Sequence, residues 1–361
     1  TMNAVTGNGA CTLVGVEAGK VNNVNGTTAV GWHAANSVTT ASGLTAVGYR
    51  AAQSVTGAGD TIMGYNAAYS MTTGDQNVTI GYQAAYTNTG SGNCTSIGYQ
   101  ADYFGAGTRR TCVGANTLSA ATLSSATDGS IDLVAMGYGA LLKNQGSNNT
   151  AIGSLCGDAI TSGAGNTAVG KSALSAETSG SNNTCVGLNA GANIAGGSNN
   201  TAIGNEAGET GSPGGSIGGG SNAVAIGDEN VAEAHIQVDW TIASDKRDKT
   251  DISPLDLGLE FINKLEPVTY RWDKRSKYSK DQSVVPDGTY KEEQLEGGFL
   301  AQDVEIIEQE YGYNKEDKTN LIIHESDDKQ MYGIKYSKLV PMLVKAVQEL
   351  SAEVEELKKE E

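Results

Sequence analysis

The sequence predicts a mainly β chain in two parts: a repetitive β-solenoid or β-roll shaft, then an α+β domain that ends in a coiled-coil helix. Three observations carry this. A four-residue unit, T-A-[VI]-G in its commonest form, recurs in thirteen variants at a nearly fixed period. The composition changes abruptly: residues 1–243 hold 6 Lys+Arg, 14 Asp+Glu and 42 Gly, whereas residues 244–361 hold 18, 27 and 6. Near the end, Val340, Leu343, Val347, Leu350, Val354 and Leu357 follow one another at spacings of 3,4,3,4,3, the seam of a coiled coil. Two kinds of polymer in one chain argue for at least two domains. We place the shaft at 1–234, a junction at 235–243 and the second domain at 244–361, with the terminal coiled coil over 335–361.

The repeat is aligned on Gly15, Gly31, Gly48, Gly64, Gly81, Gly98, Gly114, Gly137, Gly153, Gly170, Gly187, Gly204 and Gly227. Ten of the twelve intervals are 16 or 17 residues and two are 23, a regularity that marks stacked units. Val, Ile or Met stands before every glycine, and Thr or Val three before it. Between them lies a small residue, except at Leu13 and Ile62. Two β-branched positions around a small one give the period-2 signature of a short strand with a bulky and a tight face. A second small column runs three residues after the glycine, where Ala occurs in ten of thirteen coils; Thr117, Cys156 and Asn230 are the exceptions.

A coil of 16–17 residues is too short for two helices, and its glycine and β-branched content disfavours helix. It has room for two short strands and two turns, the turns being GSNN- and TSGAGN-like. At about 4.8 Å per strand, thirteen coils make a rod about 60 Å long. The small columns are expected to let a second surface approach closely, so that several chains share one core. Of the five cysteines, Cys11, Cys94, Cys112 and Cys185 fall on strand columns and Cys156 replaces a column alanine. Without a CxxC or a histidine at metal spacing, they read as core fillers rather than disulfide, redox or metal groups.

After residue 243 the period changes. LDLGLEFINKLEP reads as an amphipathic helix with Leu255, Leu259, Ile262 and Leu265 on one side, stopped by Pro267. VTYRW then reads as a strand, GGFLAQDVEIIEQEYG as a short strand leading into a helix, and YSKLVPMLVKAVQELSAEVEELKKE as the long terminal helix. Val alternating with Leu favours two strands in simple peptides, but a seam of under three heptads does not decide the number.

The two parts resemble known families. NNTAIG, at 148–153 and again at 199–204, is similar to the head repeats of trimeric autotransporter adhesins and to phage tail-fibre shafts. SDKRDKTDISPLDLGLEFINKLEPVTYRW, then GGFLAQDVE, then YSKLVPMLVKAVQEL resemble the C-terminal intramolecular chaperone of phage endosialidases, tail spikes and neck appendages. That resemblance covers about 244–361. It implies an intertwined homotrimer whose last domain trimerises the shaft and then cuts itself off. It further implies the scissile bond Ala243–Ser244, with Ser244 as nucleophile and Lys249 as base. A serine hydroxyl needs a neighbour to take its proton, and a lysine can do so where burial favours its neutral form. The histidines offer no substitute: His235 precedes the junction serine, and His33 and His324 are distant in sequence. Without the flanking motifs, Ser244 would read as a helix cap and Lys249 as one solvated charge.

These readings imply a structural, host-binding fibre on a virion tail, with the chaperone domain released in the host cytoplasm. Its partners would be two further copies, a host surface receptor of glycan type, and other tail proteins through sequence preceding residue 1, since TMNAVTGNGACTLVG begins in mid-pattern and lacks a signal peptide. Tyr49, Tyr65, Tyr82 and Tyr99, each just after a repeat glycine, either offer sugars a stacking ladder or cover the coil edges, and the second reading is favoured. The two longer intervals, ATLSSATDGSIDL and ETGSPGGSIGGGSN, are better candidates for specificity. An alternative, a glycan depolymerase, would need paired carboxylates, for which Asp128 with Asp132 and Glu206 with Glu209 are the close pairs. Another, a bacterial adhesin head, would lead into a membrane anchor that this sequence does not contain. A net charge of −17 without a basic stripe opposes nucleic-acid binding. No run of 18 apolar residues suggests membrane insertion. No GGxGxD pattern suggests calcium, and no metal or other cofactor is expected.

Overall fold

The computed structural model describes residues 9–22, 24–105, 107–119, 130–212, 215–238, 240–279, 282–326 and 329–360. It divides into two compact units, Thr1–Asp228 and Glu229–Glu361.

Unit one is the solenoid. Thirteen strands, β1–β13, form one parallel sheet in sequence order: Thr12–Val14, Thr28–Val30, Thr45–Val47, Thr61–Met63, Val78–Ile80, Thr95–Ile97, Arg110–Val113, Leu133–Met136, Thr150–Ile152, Thr167–Val169, Thr184–Val186, Thr201–Ile203 and Val224–Ile226. The register matches the sequence columns, with Thr28 opposite Thr45 and Val30 opposite Val47, and likewise up the stack. Cys11 and Cys94 lie one residue before β1 and β6, not on the strands as the columns suggested.

Each coil carries one strand rather than two. The second wall is made of residues two and four after the repeat glycine, which take positive φ: His33 and Ala35 at 55° and 50°, Arg50 and Ala52 at 51° and 53°, Gln83 and Ala85 at 52° and 48°. Their N–H groups still bond neighbouring coils, His33 to the carbonyl of Val16 at 3.0 Å and Ala35 to that of Ala51 at 3.0 Å. A left-handed non-glycine residue costs about 1–2 kcal/mol, offset here because every coil repeats the same bonds. The bend turns the alanine three after the glycine inward, so Ala34, Ala51 and Ala67 are buried.

The small strand column also faces inward. Ala29, Ala46, Ala151, Ala168 and Ala202 line the coil interior, and the Val/Ile/Met column faces out. The expectation that small columns receive a second chain is therefore reversed: a coil this narrow encloses only small side chains and sends the bulky ones outside. Cys94, Cys112, Cys156 and Cys185 are buried free thiols, and burial pushes those of Cys156 and Cys185 up to about 12, which keeps them unreactive.

The repeat glycines cannot be replaced cheaply. Gly64 has φ 141°, and a methyl there would lie 2.2 Å from the carbonyl oxygen of Gly81 in the next coil. An asparagine column four residues before the glycine closes the interior. The N–H groups of Asn166, Asn183 and Asn200 donate to the side-chain oxygens of Asn149, Asn166 and Asn183 at 2.8, 2.9 and 3.0 Å.

Unit two is α+β. Helix α1 (Leu259–Lys264) is followed by β14 (Val268–Tyr270), which pairs antiparallel with β15 (Glu296–Gly298). Helix α2 (Ala301–Glu310) leads to a second antiparallel pair, β16 (Ile323–Glu325) with β17 (Tyr332–Ile334), and the chain ends in α3 (Leu339–Glu360). Leu257, Phe261, Val304, Ile322, Ile323, Leu339 and Met342 form the core. Helix α1 is shorter than the sequence pattern, because Gly258 is non-helical (φ −118°, ψ −137°) and leaves Leu255 and Leu257 outside. Pro341 sits in the first turn of α3, where no intrahelical donor is lost. Along α3 the whole predicted seam, Val340 to Leu357, is exposed.

Candidate functional site

The junction serine and lysine meet. A single 3-10 turn, Lys246–Asp248, folds the chain back between them, and Lys249 Nζ donates to Ser244 Oγ at 2.6 Å. Asp245 builds the turn. Its side chain accepts from the Arg247 N–H at 2.9 Å, and its carbonyl from the Asp248 N–H at 3.2 Å. The Arg247 guanidinium also holds the Asp245 carboxylate, with Nη2 at 2.6 Å, and keeps that carboxyl below its ordinary range. Asp245 and Arg247 were not singled out from the sequence, although the S-D-x-R-x-K spacing contains both; a cap and its partner two residues on are the signal that could have found them.

The burial expected around this pair is not supplied within one chain, for residues 240–254 are all exposed. The serine hydroxyl and the lysine amine are therefore within hydrogen-bond reach, but in open solvent.

Farther into unit two, Leu259 N–H donates to Glu349 Oε2 at 2.6 Å, so the terminal helix caps α1. Buried Glu308 of α2 accepts from the N–H groups of Leu321 and Ile322 at 2.9 Å each, tying α2 to the chain just before β16. Neither contact was legible, since each joins residues far apart in sequence.

The other sequence candidates sit elsewhere. Asp132 is bound by Arg109 through contacts of 2.6 and 2.9 Å, and its partner Asp128 lies outside the described residues. Glu209 accepts from the Asn193 N–H at 2.8 Å, and Glu206 from Asn189 Nδ2 at 3.5 Å, so both brace neighbouring coils. Trp32, Tyr49, Tyr65, Tyr82 and Tyr99 stack on one another with centroids 4.7, 4.8, 5.3 and 5.3 Å apart. Tyr49, Tyr65 and Tyr82 are thereby stacked on both faces, with ring edges and hydroxyls outside, and Tyr99 ends the ladder stacked on Tyr82. Among the described residues there is no group of three potential metal ligands, and no helix is long and apolar enough to cross a membrane.

Residues 244–313 match the family described as chaperone of endosialidase, and the match opens on Ser244 itself. That family is one of self-cleaving intramolecular chaperone domains. The sequence resemblance extended to residue 361, whereas the family match ends at Tyr313. Together with the β-solenoid, it fits a tail-spike or tail-fibre type of protein with a C-terminal chaperone domain. No curated protein and no solved structure matches the chain.

Proposed function

We propose that the chain is a bacteriophage tail-fibre or spike polypeptide, homotrimeric, whose shaft is held in the virion tail and binds a host surface glycan. Residues 244–361 align three copies, cut Ala243–Ser244 and leave in the host cytoplasm. Other tail proteins join through the N-terminal side of the shaft.

The observation that carries this reading is the 2.6 Å contact of Lys249 Nζ with Ser244 Oγ at the first residue of the family match. Lys249 in its neutral form takes the Oγ proton as Oγ attacks the Ala243 carbonyl carbon through a five-membered ring. The proton passes to the Ser244 nitrogen as the C–N bond breaks, leaving an Ala243 ester on Ser244 Oγ. Water then hydrolyses that ester, giving an Ala243 carboxylate and a free Ser244 hydroxyl and amine. The substrate is the chain itself, held at high effective concentration, so a single turnover needs no pocket.

Two apolar tracks without partners support the trimer. One is the outward Val/Ile/Met column of the shaft, with Val14, Ile152, Ile203 and Ile226 exposed; the other is the α3 seam. Parallel pairing among near-identical coils is slow and prone to a one-coil slip, which a C-terminal register would prevent. Removing that register afterwards makes the rod kinetically hard to unfold. Denaturing electrophoresis tests the cleavage. The wild-type chain is expected as two bands with masses of 1–243 and 244–361, and Ser244→Ala and Lys249→Ala as one. A single full-length wild-type band removes the protease and leaves trimerisation standing.

A further inference from the structure

Residues 235–242, HIQVDWTI, are patterned as a strand. Ile236, Val238, Trp240 and Ile242 alternate with Gln237, Asp239 and Thr241, which puts four large apolar side chains on one face of an extended chain. In the single chain that face is bare: the four are exposed at 51, 74, 75 and 73%. None of residues 231–238 or 240–243 makes a backbone hydrogen bond. The chain bends at Gln237 and Val238 in the single copy, so a segment patterned as a strand, apolar on one side and without backbone partners, is unstable alone and calls for a partner strand.

We infer that residues 235–242 are a strand completed by the same segment of two other copies, in parallel register, with Ile236, Val238, Trp240 and Ile242 forming a shared apolar core. The inference rests on the trimer proposed above and adds the segment that joins the copies between shaft and chaperone domain.

Three features select a second copy as the occupant. The segment lies in sequence between the outward column of the shaft and the α3 seam, the two tracks that parallel copies would cover. The last shaft strand, Val224–Ile226, ends nine residues before His235, a tether of about 30 Å at full extension, so copies aligned at that strand bring their segments together. Residues 231–243 contain no Lys or Arg, so nothing in them would recognise phosphate, nucleic acid or acidic lipid. Identical segments in parallel register set Ile on Ile and Trp on Trp, the same like-on-like pairing by which each shaft coil meets the next. The strand would end one residue before the Ala243–Ser244 bond and so fix the chain entering the cleavage site.

The test uses the full chain with Ser244→Ala, so that the segment stays attached on both sides. Val238→Cys and, separately, Leu350→Cys are added and the proteins are mildly oxidised. Both are expected to give covalent dimers on non-reducing denaturing gels, absent from the parent with its native cysteines alone. The emission contributed by Trp240, taken as the difference from Trp240→Phe, is expected at apolar wavelengths. A chain that is trimeric by light scattering and cross-links at position 350, yet not at 238, with Trp240 emitting as in water, overturns the shared strand and leaves the trimer intact. A monomer by light scattering, cross-linking at neither position, overturns both.

Discussion

Asp60 occupies the column that Asn77, Asn149, Asn166, Asn183 and Asn200 fill in other coils, four residues before the repeat glycine. Its side chain does the column's work, accepting the Asn77 N–H at 2.7 Å, but as an acid in a buried place. Burial pushes its carboxyl from an ordinary 3.8 up to about 6, against the hydrogen bond from Asn77. A folded pKa above the unfolded one means that the folded state binds the proton more tightly. Stability from this group is therefore full below about pH 4 and is lost as pH rises through 6. Asp60→Asn is expected to raise the melting temperature at pH 7 by several degrees. Thermal melts of the two proteins should converge towards pH 4; a difference independent of pH would refute the assignment. At this scale the sequence announced the glycines and the threonines well, because each has one stereochemical job. The left-handed positions were not legible: Glu17, His33, Arg50, Gln83, Leu155 and Ser172 all take them, and nothing in their types foretells it.

At the scale of the element, the interior of the solenoid is interrupted between β5 and β7. Thr79 and Ser96 replace the inward alanine, and Arg110 begins β7 fully buried beside Asp102, Nη2 to Oδ2 at 3.0 Å and to Ser91 Oγ at 3.1 Å. Breaking a buried ion pair on one side strands the other charge, typically at about 3–5 kcal/mol. Arg110→Met is expected to cost that much in a urea unfolding experiment, and Asp102→Leu with Arg110→Met to recover most of it. Equal losses in single and double variants would show that the pair contributes only packing. The strand columns of the shaft were readable because thirteen copies average out local noise. The second wall was misread as a strand, since small residues at inward positions suit either a pleated chain or the tighter left-handed bend. In unit two the β16–β17 hairpin escaped notice because IHE and YGI are too short for a period to be seen, and α1 was overextended across Gly258.

For the whole molecule, the terminal helix is the part on which alignment of copies should depend. Its seam is apolar and bare, while Met342 and Ala346 on its other side are buried in unit two. Leu350→Asp places a charge in the seam without touching that core. It is expected to abolish the trimer in light scattering at micromolar concentration while the isolated fold keeps its circular dichroism; a persisting trimer would move the aligning role elsewhere. Ser244 and Lys249 were singled out only through the family resemblance, and the openness of their surroundings was not legible at all, because exposure depends on everything around a residue. The shaft carries a different lesson for the molecule at large. Successive coils grip one another through one repeated set of contacts, from the repeat glycine N–H to the carbonyl that ends the strand of the preceding coil, as when Gly170 donates to Ile152 at 2.8 Å and Gly187 to Val169 at 2.8 Å. Duplicating or excising one unit of DNA would therefore change the reach of the appendage by about 4.8 Å and leave each surviving contact as it was. Reach can evolve in single quanta, with neither terminus having to adapt.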